Sequence, residues 1–524
     1  MQYDQFKVCI TTAGIGSRLE EISKNYNKSL VQINNKPAIS HIIDFFNIKT
    51  KFVIAVGYKA EQVKSYLKIA HPKNKFEFVK IHKFKGIGSG LGLTLKKCQK
   101  KLNCPFIYIS CDTIIKNCKI IKPTHNWMGY SDNKNKTYYR NIEIKNNRVI
   151  NILEKGQSNN FSKTYIGFCG INDYKKFWSL INKCKTQEYL IGEVFSLRKL
   201  ENIKAYKFDW YDIGNKKTLD STRISLLEKN MPNILEKESE ALWFVKKKVI
   251  KYSQDKKFIK NRIKRAYKLD KYVPNIINSN QNMYCYNKVD GTLMSNVNNL
   301  SIFDNFLKYS KKFWKLKKIS VKEKHLFKKK CLFFYKNKTL KRLKMFFDRY
   351  NYIDQKQIIN GLKVSKVKDL LNKIDWNYIS NGIPTRFHGD YHFENILYVR
   401  DEKFIFLDWR QDFEGLIDYG DIYYDFAKLL HGLIVSHEIV KNNLYYINYT
   451  NSKVEFDIST KFINNIYKDK FFDWINKNNY DERKVNILTS LIFLNIAPLH
   501  HDPYSKFLFS LGKFMLHNNL NSKN

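Results

Sequence analysis

The segment FKVCITTAGIGSRL, residues 6–19, decides the architecture of the first half of the chain. It starts as an apolar run typical of a buried β-strand and continues into a turn that contains Gly14 and Gly16. Glycines in such a turn allow backbone N–H groups to approach the phosphates of a nucleotide. Arg18 can pair with phosphate oxygens, and Lys28, further along the chain, can add a second positive charge. The segment therefore predicts a strand that leads into a phosphate-binding loop.

Strand-like and helix-like patterns alternate after this loop. Buried strands are predicted for the apolar runs FVIAVGY, FEFVKIH and PFIYISCD, residues 52–58, 76–82 and 105–112. Helices are predicted at about 37–47, 60–68 and 90–102. Such alternation is typical of a parallel sheet in an α/β fold. We therefore expect a Rossmann-like first domain with a mostly parallel sheet.

The pattern changes in the segment LLEKNMPNILEKESEALWF, residues 226–244, where Pro232 marks a break. We therefore expect two domains, 1–225 and 226–524. The later elements are strand-like runs at 241–252 and 283–289, a mainly helical region after about residue 300, and a hairpin near 396–408. A small β lobe followed by a larger helical lobe predicts a bilobal α+β second domain.

The composition of the 524 residues limits the class of protein. Hydrophobic residues make up 43% and aromatic residues 15% of the chain, which argues against disorder as the main state. The nine cysteines include no Cys-x-x-Cys pair, which is typical of reduced thiols in a cytoplasmic protein. Because no stretch approaches the roughly 18 apolar residues of a transmembrane helix, we expect no membrane span.

The formal net charge of +45 raises the alternative of a nucleic-acid-binding protein. However, the lysines are spread along the whole chain between Asn, Ile and Tyr, without an arginine-rich stripe or a basic tail. This pattern also fits an AT-rich coding sequence. We therefore favour a general attraction of anionic substrates and expect no nucleic-acid partner.

The loop and the Lys28 that follows it resemble the G-x-G-x-R-L signature and downstream Lys of the sugar-phosphate nucleotidyltransferase family. The resemblance continues in order over about the first 223 residues, through GSGL at 88–91, EKG at 154–156 and WYDIG at 210–214. It implies nucleotide contacts at Ala13, Gly14, Gly16, Gly88 and Ser89. It implies Mg²⁺ ligands at Asp112 and Asp212. It implies substrate contacts at Lys155, Gly167 and Glu193.

Three positions depart from the family pattern. Thr11-Thr12 opens the loop where an Ala-Ala pair is usual, Ser29 replaces the Pro of Lys-Pro-Leu, and Gly156 replaces the Pro of Glu-Lys-Pro. None of these changes removes a functional group. They leave the preference for base and sugar open.

The resemblance implies a reaction in which a substrate phosphate attacks the α-phosphorus of an NTP and expels pyrophosphate. Because both reactants are anions, neutralising charge is the main catalytic requirement. Asp112 and Asp212 would hold Mg²⁺, and Arg18 and Lys28 would stabilise the leaving pyrophosphate. Lys155 would position the attacking phosphate. Taken singly, Asp112 also fits a strand-end turn, and Asp212 a helix N-cap.

The string HGDYHFEN, residues 388–395, repeats the H-x-D-x-x-x-x-N pattern of kinase catalytic loops. In that pattern Asp390 accepts the proton of the attacking group or orients it, and Asn395 and Asp408 ligate Mg²⁺. Lys251, in the strand-like VIK, would pair with the α- and β-phosphates of ATP; the less favoured alternative is an exposed lysine in a lysine-rich strand. No glycine-rich loop precedes it, and the helix-like KNRIKRAYKL carries no Glu.

The HGDxHxxN form and Asp408-Trp409 resemble the choline kinase and aminoglycoside phosphotransferase family over about residues 226–524. The resemblance implies ATP-dependent phosphorylation of a hydroxyl on a small molecule. It also implies that the segment with Asp421 and Asp425 binds a cationic or polyhydroxylated substrate. The same two residues fit a role in capping and orienting the next helix.

Together the sites predict a bifunctional transferase that phosphorylates a sugar or a choline-like amino alcohol and then couples the product to a nucleotide. The implied cofactors are Mg²⁺ at both sites, with ATP and a second NTP (CTP, UTP or GTP) as cosubstrates. The product would serve surface glycan or lipid assembly. The alternative is an active nucleotidyltransferase with a degenerate or regulatory kinase-like domain. The sequence does not decide the oligomeric state.

Overall fold

The computed structural model describes residues 6–19, 21–132, 136–227, 239–400, 402–450 and 452–521. The chain forms two compact units. The first consists of residues 1–256 and 277–286, and the second of residues 257–276 and 287–524.

The elements of the first unit follow the predicted runs, and the predicted strands and helices before residue 112 are confirmed within a few residues. Its strands are β1 (Lys7–Thr11), β2 (Gln32–Ile33), β3 (Lys36–Pro37), β4 (Lys51–Val56), β5 (Lys75–Lys80), β6 (Phe106–Ser110), β7 (Thr113–Lys116), β8 (Trp127–Ser131), β9 (Asn141–Lys145), β10 (Arg148–Leu153), β11 (Lys163–Ile171), β12 (Lys204–Lys207), β13 (Asp209–Asp212), β14 (Glu240–Val245), β15 (Lys248–Ser253), β16 (Ile276–Ser279) and β17 (Met283–Asn287). Its helices are α1 (Glu21–Asn25), α2 (Ala38–Phe45), α3 (Ala60–Ala70), α4 (Leu91–Cys98), α5 (Tyr174–Lys183), α6 (Val194–Leu197) and α7 (Lys216–Ser225).

A nine-stranded sheet, in the order β5-β4-β1-β6-β11-β8-β12-β10-β9, forms the centre of this unit. Strands β5, β4, β1 and β6 run parallel, whereas β11 is antiparallel to β6. The sheet as a whole is therefore mixed, and the predicted parallel arrangement is limited mainly to these four strands. One reason is the turn between β9 and β10, where Asn146 and Asn147 have φ of +50° and +58°, as a tight antiparallel hairpin requires.

The sheet separates two hydrophobic cores. On β1, Val8 and Ile10 belong to one core and Cys9 to the other, because successive side chains of a strand point to opposite faces. The loop predicted to bind phosphates follows directly where β1 ends. The carboxyl ends of β1 and β6 meet at one edge of the sheet because the two strands are parallel.

A four-stranded sheet, in the order β14-β15-β17-β16, follows in the chain. Trp243 of β14 is 1% exposed and packs edge-on against Tyr66 of α3, with ring centroids 5.1 Å apart. Gln62 donates a 2.7 Å hydrogen bond to the hydroxyl of Tyr252 on β15. These strands therefore pack within the first unit, which differs from the predicted boundary at 225/226.

The second unit is mainly helical, as predicted. Its helices are α8 (Lys256–Leu269), α9 (Leu300–Phe313), α10 (Val321–Leu332), α11 (Lys338–Tyr350), α12 (Val367–Lys373), α13 (Trp376–Ser380), α14 (Ile422–Ile434), α15 (His437–Lys441), α16 (Phe462–Lys477), α17 (Glu482–Ile496) and α18 (Tyr504–Asn521). Its strands are β18 (Thr292–Leu293), β19 (Gln357–Ile359), β20 (Leu362–Val364), β21 (Pro384–Thr385), β22 (Ile396–Val399), β23 (Lys403–Phe406), β24 (Gly420–Asp421), β25 (Tyr445–Tyr449) and β26 (Lys453–Ile458). A π-helical turn, Phe333–Asn337, joins α10 to α11.

Helix α17 is buried along most of its length and packs against α11, α14 and α18. The predicted hairpin near 396–408 is confirmed as β22 and β23. A further sheet, in the order β20-β19-β26-β25, was not predicted, although the alternating KVEFDI of β26 is typical of a strand. Among the described residues, no helix has both the length and the apolar character needed to cross a membrane.

Candidate active sites

The loop after β1 is held on one side and open on the other. Thr12 donates its N–H to β4 at 2.9 Å, and the Asn27 side-chain amide donates to the carbonyl of Thr12 at 2.9 Å. Gly16 has φ +74°, and a Cβ there would lie 3.0 Å from the Cβ of Lys28. A Cβ at Gly14 would meet no atom within 4 Å. The loop thus packs against Lys28 and leaves open space at Gly14, which suits a phosphate.

Lys28 and Asp112 form an ion pair at the carboxyl end of β6. Lys28 Nζ contacts Asp112 Oδ2, and the hydroxyl of Ser110 donates to Oδ1. Burial alone would raise the pKa of Asp112, but the Lys28 charge and these hydrogen bonds lower it to about 2. Burial opposes the charge of Lys28, but Asp112 outweighs it and raises the pKa of Lys28. Both groups are therefore charged at neutral pH.

Asp212 lies at the end of β13, which pairs with β7 so that Asp212 is opposite Thr113. The Tyr139 hydroxyl donates to Asp212 Oδ2 at 2.9 Å, and the Gly214 N–H donates to Oδ1 at 2.9 Å. Burial and the charge of Asp112 raise the pKa of Asp212. The structure thus brings the two predicted metal ligands together and shifts their pKa values in opposite directions.

Gly214 keeps the space beside both carboxylates open. A Cβ at this position would lie 3.0 Å from Asp212 Oδ1 and 3.5 Å from Asp112 Oδ2. Mg²⁺ is commonly held by one or two carboxylates together with water and substrate phosphates. Within the described ranges, no group of three or more His, Cys, Asp or Glu could hold a metal ion. The two carboxylates therefore fit a Mg²⁺ ion that a bound nucleotide helps to coordinate.

Further positive charges face this pair. Burial and then the charges of Arg18 and Arg140 lower the pKa of Lys155, so these three side chains lie within electrostatic range of one another. Arg140 donates to the carbonyl of Ile191 at 2.9 Å and contacts Glu154. The structure thus gathers the predicted residues Arg18, Lys28 and Lys155 near Asp112.

Gly156 closes the turn after Lys155. Its φ is +87°, whereas the ring of proline fixes φ near −65°. A proline at this position would therefore require a different turn. The departure from Glu-Lys-Pro alters the backbone beside Lys155 and leaves its charge in place.

Gly167 and Glu193 lie near the same edge of the sheet. Gly167 has φ +67°, and a Cβ there would lie 3.2 Å from the Cβ of Ser110. Glu193 is 4% exposed, and Tyr165 donates a 2.9 Å hydrogen bond to its Oε1. Its buried Oε2 has no hydrogen-bond partner within the part of the chain that the structure describes, and burial raises the pKa of the carboxyl. A buried carboxylate oxygen without a partner can accept a hydrogen bond from a substrate hydroxyl.

The remaining predicted nucleotide contacts lie on loops. Ser89 donates its N–H and its hydroxyl to the carbonyl of Gly86, at 3.1 and 2.7 Å, and Gly88 has φ +80°. Ala13 is 4% exposed, and its carbonyl accepts the N–H of Tyr58 at 2.9 Å. Their contacts with a nucleotide stay predictions.

The HGDYHFEN loop of the second unit is held by Asp425 of α14. This carboxylate accepts the backbone N–H groups of His388 and Gly389, each at 2.7 Å, and the indole N–H of Trp314 at 3.0 Å. Burial raises the pKa of Asp425 to about 6, against the effect of these donors. At neutral pH an ionised Asp425 therefore fixes the backbone just before Asp390.

Asp390 lies between a lysine and an amide. Lys428 Nζ is 2.8 Å from Asp390 Oδ1, and the Asn395 side-chain nitrogen donates to the Asp390 carbonyl and Oδ2 at 2.9 and 3.2 Å. Burial would raise the pKa of Asp390, but the charges of Lys428 and His392 lower it well below the usual range. Asp390 is therefore an ionised hydrogen-bond acceptor.

Asp408 follows β23 with φ +52°, and its carboxylate forms an ion pair with Arg262 of α8. The indole N–H of Trp409 donates to the carbonyl of Arg262 at 2.9 Å. Asn395 uses its nitrogen toward Asp390, so its amide oxygen is the atom suited to a cation. Asn395 and Asp408 fit Mg²⁺ by donor chemistry, with Arg262 in competition for Asp408.

Lys251 of β15 is 6% exposed and is not a surface lysine. Its Nζ lies 3.1 Å from Glu240 Oε2 on the adjacent strand β14. The carboxylate that pairs with Lys251 therefore comes from a neighbouring strand and not from the following helix, which carries no Glu. A contact of Lys251 with ATP stays a prediction.

Asp421 and Asp425 are not available to a substrate, which corrects the prediction drawn from the family resemblance. Both are fully buried. Asp421 caps α14 by accepting the N–H of Tyr423 and also accepts the Tyr335 hydroxyl at 2.7 Å. Because protein donors surround both carboxylates, the alternative role in capping and orienting the helix accounts for them.

Several residues of these sites were not identified from the sequence. They are Tyr139, Arg140, Glu240, Arg262 and Lys428. Each of them contacts its partner only in the folded chain. In a lysine-rich sequence a single Lys or Arg is too common to indicate a site. The alternation of strand positions could have indicated Glu240, since Leu242 lies opposite Lys251 and Glu240 points to the same face as Leu242.

The comparisons with known proteins concern the N-terminal part of the chain. Over 64 residues it is 44% identical to the choline-phosphate cytidylyltransferase of Streptococcus pneumoniae, covering 12% of this chain and 28% of that one. The N-terminal part of the chain is homologous to nucleotidyltransferases. Over 238 residues it is 29% identical to the bifunctional protein GlmU of Methanococcus vannielii, covering 43% of this chain and 56% of that protein.

The chain spans only about half the length of the GlmU proteins that it matches. The solved structure of the CTP:phosphocholine cytidylyltransferase of Streptococcus pneumoniae is similar with a TM-score of 0.37 and 18% identity, covering 43% of this chain and all of that one. No family model matches the chain.

Proposed function

We propose that the first unit transfers a nucleotidyl group from an NTP to the phosphate of a small molecule. The observation that carries this proposal is the arrangement of Lys28, Asp112 and Asp212 beside Gly214, at the end of an open glycine loop. Homology of the N-terminal part to a choline-phosphate cytidylyltransferase supports the same reaction class.

In the proposed reaction a phosphate oxygen of the substrate attacks the α-phosphorus of the NTP. The new O–P bond forms as the bond to the bridging oxygen breaks, and pyrophosphate leaves with the electron pair. Asp112 and Asp212 would hold Mg²⁺, which when bound supplies positive charge at the phosphates. Because the phosphate nucleophile is already ionised, no side chain has to remove a proton.

The positive side chains act on the two anions. Lys28, which Asp112 keeps charged, would stabilise the departing pyrophosphate together with Arg18, an exposed residue of the loop. Lys155 orients the attacking phosphate, and the buried Oε2 of Glu193 accepts a hydroxyl of the substrate.

The full-length protein with Mg²⁺, each of four NTPs, and phosphocholine or sugar 1-phosphates tests this proposal through release of pyrophosphate. Asp112→Asn should abolish release, while Asp209→Asn, at the exposed start of β13, should leave it unchanged. Absence of pyrophosphate across the panel, or equal loss in both variants, would refute nucleotidyl transfer at this site.

A second activity, phosphorylation of an alcohol by ATP, is proposed for the second unit. The observation that favours it is the fixed loop, in which Asp425 holds the backbone and Lys428 and Asn395 orient Asp390. The phosphomonoester formed would be the anionic substrate of the first unit. The proposed order is therefore phosphorylation first and nucleotidyl transfer second.

Formation of ADP from ATP in the presence of an alcohol tests the second activity. Asp390→Asn should abolish it without changing pyrophosphate release from a preformed phosphomonoester. Asp469→Asn, on the exposed side of α16, is the matched control. If Asp390→Asn stops both reactions, the two sites are not independent and the two-site proposal is wrong.

A further inference from the structure

Four cations of the second unit lie within electrostatic range of one another, and two of them, Lys428 and Arg410, reach the Asp390 loop. Lys338 and Arg342 lie one turn apart on α11, Arg410 follows Asp408 and Trp409, and Lys428 is on α14. We call Lys338, Arg342 and Arg410 the basic cluster. Lys428 is already paired with Asp390 and links the cluster to the reacting end of the loop.

The cluster is adjacent to the loop. A Cβ at Gly389 would lie 2.6 Å from the Cβ of Arg410, so the Arg410 side chain packs directly against the residue before Asp390. Lys338 Nζ is 3.5 Å from the hydroxyl of Tyr424, on the same helix as Lys428. The charges of Lys338, Lys428 and Arg410 outweigh burial and lower the pKa of the Tyr424 hydroxyl.

The basic cluster has neutral partners. The Arg410 Nε donates to the carbonyl of Asp412 at 3.1 Å, and Arg342 contacts the sulfur of Met345 at 3.7 Å. Lys338 and Arg410 lie over the ring of Phe334, at 4.4 and 4.9 Å from its centroid. Within the described ranges of this unit, none of the three forms an ion pair with a carboxylate.

Three mutually repelling cations next to a catalytic loop lack the counter-charge that groups of this kind usually have. Burial, with the charges of Arg410 and Lys428, lowers the pKa of Lys338, so the protein itself disfavours this charge. An anion bound here would relieve the repulsion. Choline or ethanolamine would add a fourth positive charge, which opposes binding.

We propose that Lys338, Arg342 and Arg410 bind an anionic group, a carboxylate or a phosphate, carried by the alcohol that the second unit phosphorylates. This inference rests on the proposed kinase function and specifies its substrate class. The hydroxyl oxygen of the bound acceptor attacks the γ-phosphorus of ATP, and ADP leaves with the electron pair of the broken bond. The hydroxyl proton passes to the carboxylate of Asp390.

Small alcohols of different charge test the proposal with the full-length protein. One series is glucose, glucuronate, glucose 6-phosphate and glucosamine, and a second is glycerol, glycerate and choline. We expect kcat/KM for ADP formation to be at least about tenfold higher for the anionic members than for the neutral ones, and lowest for the cationic ones. Glucuronate against glucose 6-phosphate separates carboxylate from phosphate.

The variants Lys338→Met and Arg342→Met remove charge and keep an apolar stem. Each should raise KM for the anionic acceptor about tenfold or more and leave KM for ATP unchanged. Lys344→Met, on the exposed face of the same helix, is the control. If choline is the best acceptor, or if the variants change only KM for ATP, the anionic-acceptor site is wrong although the kinase proposal stands.

A binding measurement covers the case in which no acceptor is turned over. With a non-hydrolysable ATP analogue in excess, sulfate should raise the unfolding temperature of the wild-type full chain more than that of the Lys338→Met variant. That result would retain the anion site, while the absence of turnover would count against the kinase activity. Equal shifts in both proteins would overturn the anion site itself.

Discussion

Asp112 and Asp212 of the first unit border open space at Gly214, whereas Asp421 and Asp425 of the second unit are enclosed by protein donors. Each pair lies near a proposed reaction centre. The first pair can exchange a protein contact for a ligand, because the partner of Asp112 is the side chain of Lys28 and not a backbone group. The second pair cannot, because backbone N–H groups and aromatic side chains fill its coordination. Accessibility of the oxygens therefore separates carboxylates that a ligand can reach from carboxylates that hold a loop.

Replacing Lys28 should cause the largest loss of activity in the first unit. Lys28→Met leaves Asp112 without its cation. It also removes the positive charge that is proposed to stabilise the departing pyrophosphate. We expect nucleotidyl transfer to fall on the order of 100- to 1,000-fold, the usual cost of one preorganised donor. Pyrophosphate release at saturating NTP measures the loss. ADP formation by the second unit is the internal control, and a change of less than about fivefold in pyrophosphate release would contradict the role of Lys28.

The stability of the second unit should depend on Asp425 at moderately acid pH. Its pKa in the folded chain is raised to about 6, so the folded state binds this proton more tightly than the unfolded state does. The free energy of unfolding should therefore fall as pH rises from about 4 to about 6, by up to about 3 kcal/mol.

Asp112 should contribute with the opposite sign in a separate window, since its pKa is lowered to about 2. Its contribution is complete above pH 4 and is lost as pH falls toward 2. Thermal unfolding of wild type and Asp425→Asn between pH 4 and 7 measures the first effect. A pH dependence that is equally steep in both proteins would show that Asp425 is not its source.

Asp408 extends the comparison to the second unit, because its partner is the side chain of Arg262, a contact that a bound cation could replace. If Arg262 competes with Mg²⁺, Arg262→Gln should lower the Mg²⁺ concentration for half-maximal ADP formation about fivefold, which corresponds to a pair worth about 1 kcal/mol. Lys264→Gln, exposed on the same helix, is the control. A raised Mg²⁺ requirement would instead make Arg262 a support for Asp408.

Replacing either of two glycines of the first unit should give the smallest effects. Gly156→Ala should cost about 1 kcal/mol of stability, because its φ of +87° is unfavourable for alanine. Gly14→Ala should leave stability nearly unchanged, since its Cβ would meet open space, but should weaken NTP binding. Thermal unfolding and the KM for NTP distinguish the two. Reversed outcomes would remove Gly14 from the nucleotide site.

Much of the first unit could be predicted from the sequence, because long apolar runs define β1, β4 and β6. Asp112 was identifiable because it directly follows such a run. The role of Asp425 was not, because substrate contact and helix capping require the same residue type at the same position. The choice depends on His388 and Gly389, which precede it by 37 and 36 residues. Lys428 and Arg262 were missed for the same reason.

The four-stranded sheet that contains Trp243 affects the order in which the two units can fold during synthesis. Residues 277–286 belong to the first unit, although residues 257–276 before them belong to the second. A nascent chain therefore cannot complete its first folded unit until residue 286 has left the ribosome, by which time a helix of the second unit has already emerged. Separating the two units completely by proteolysis would require three cuts, after residues 256, 276 and 286, so no single cleavage yields either unit alone.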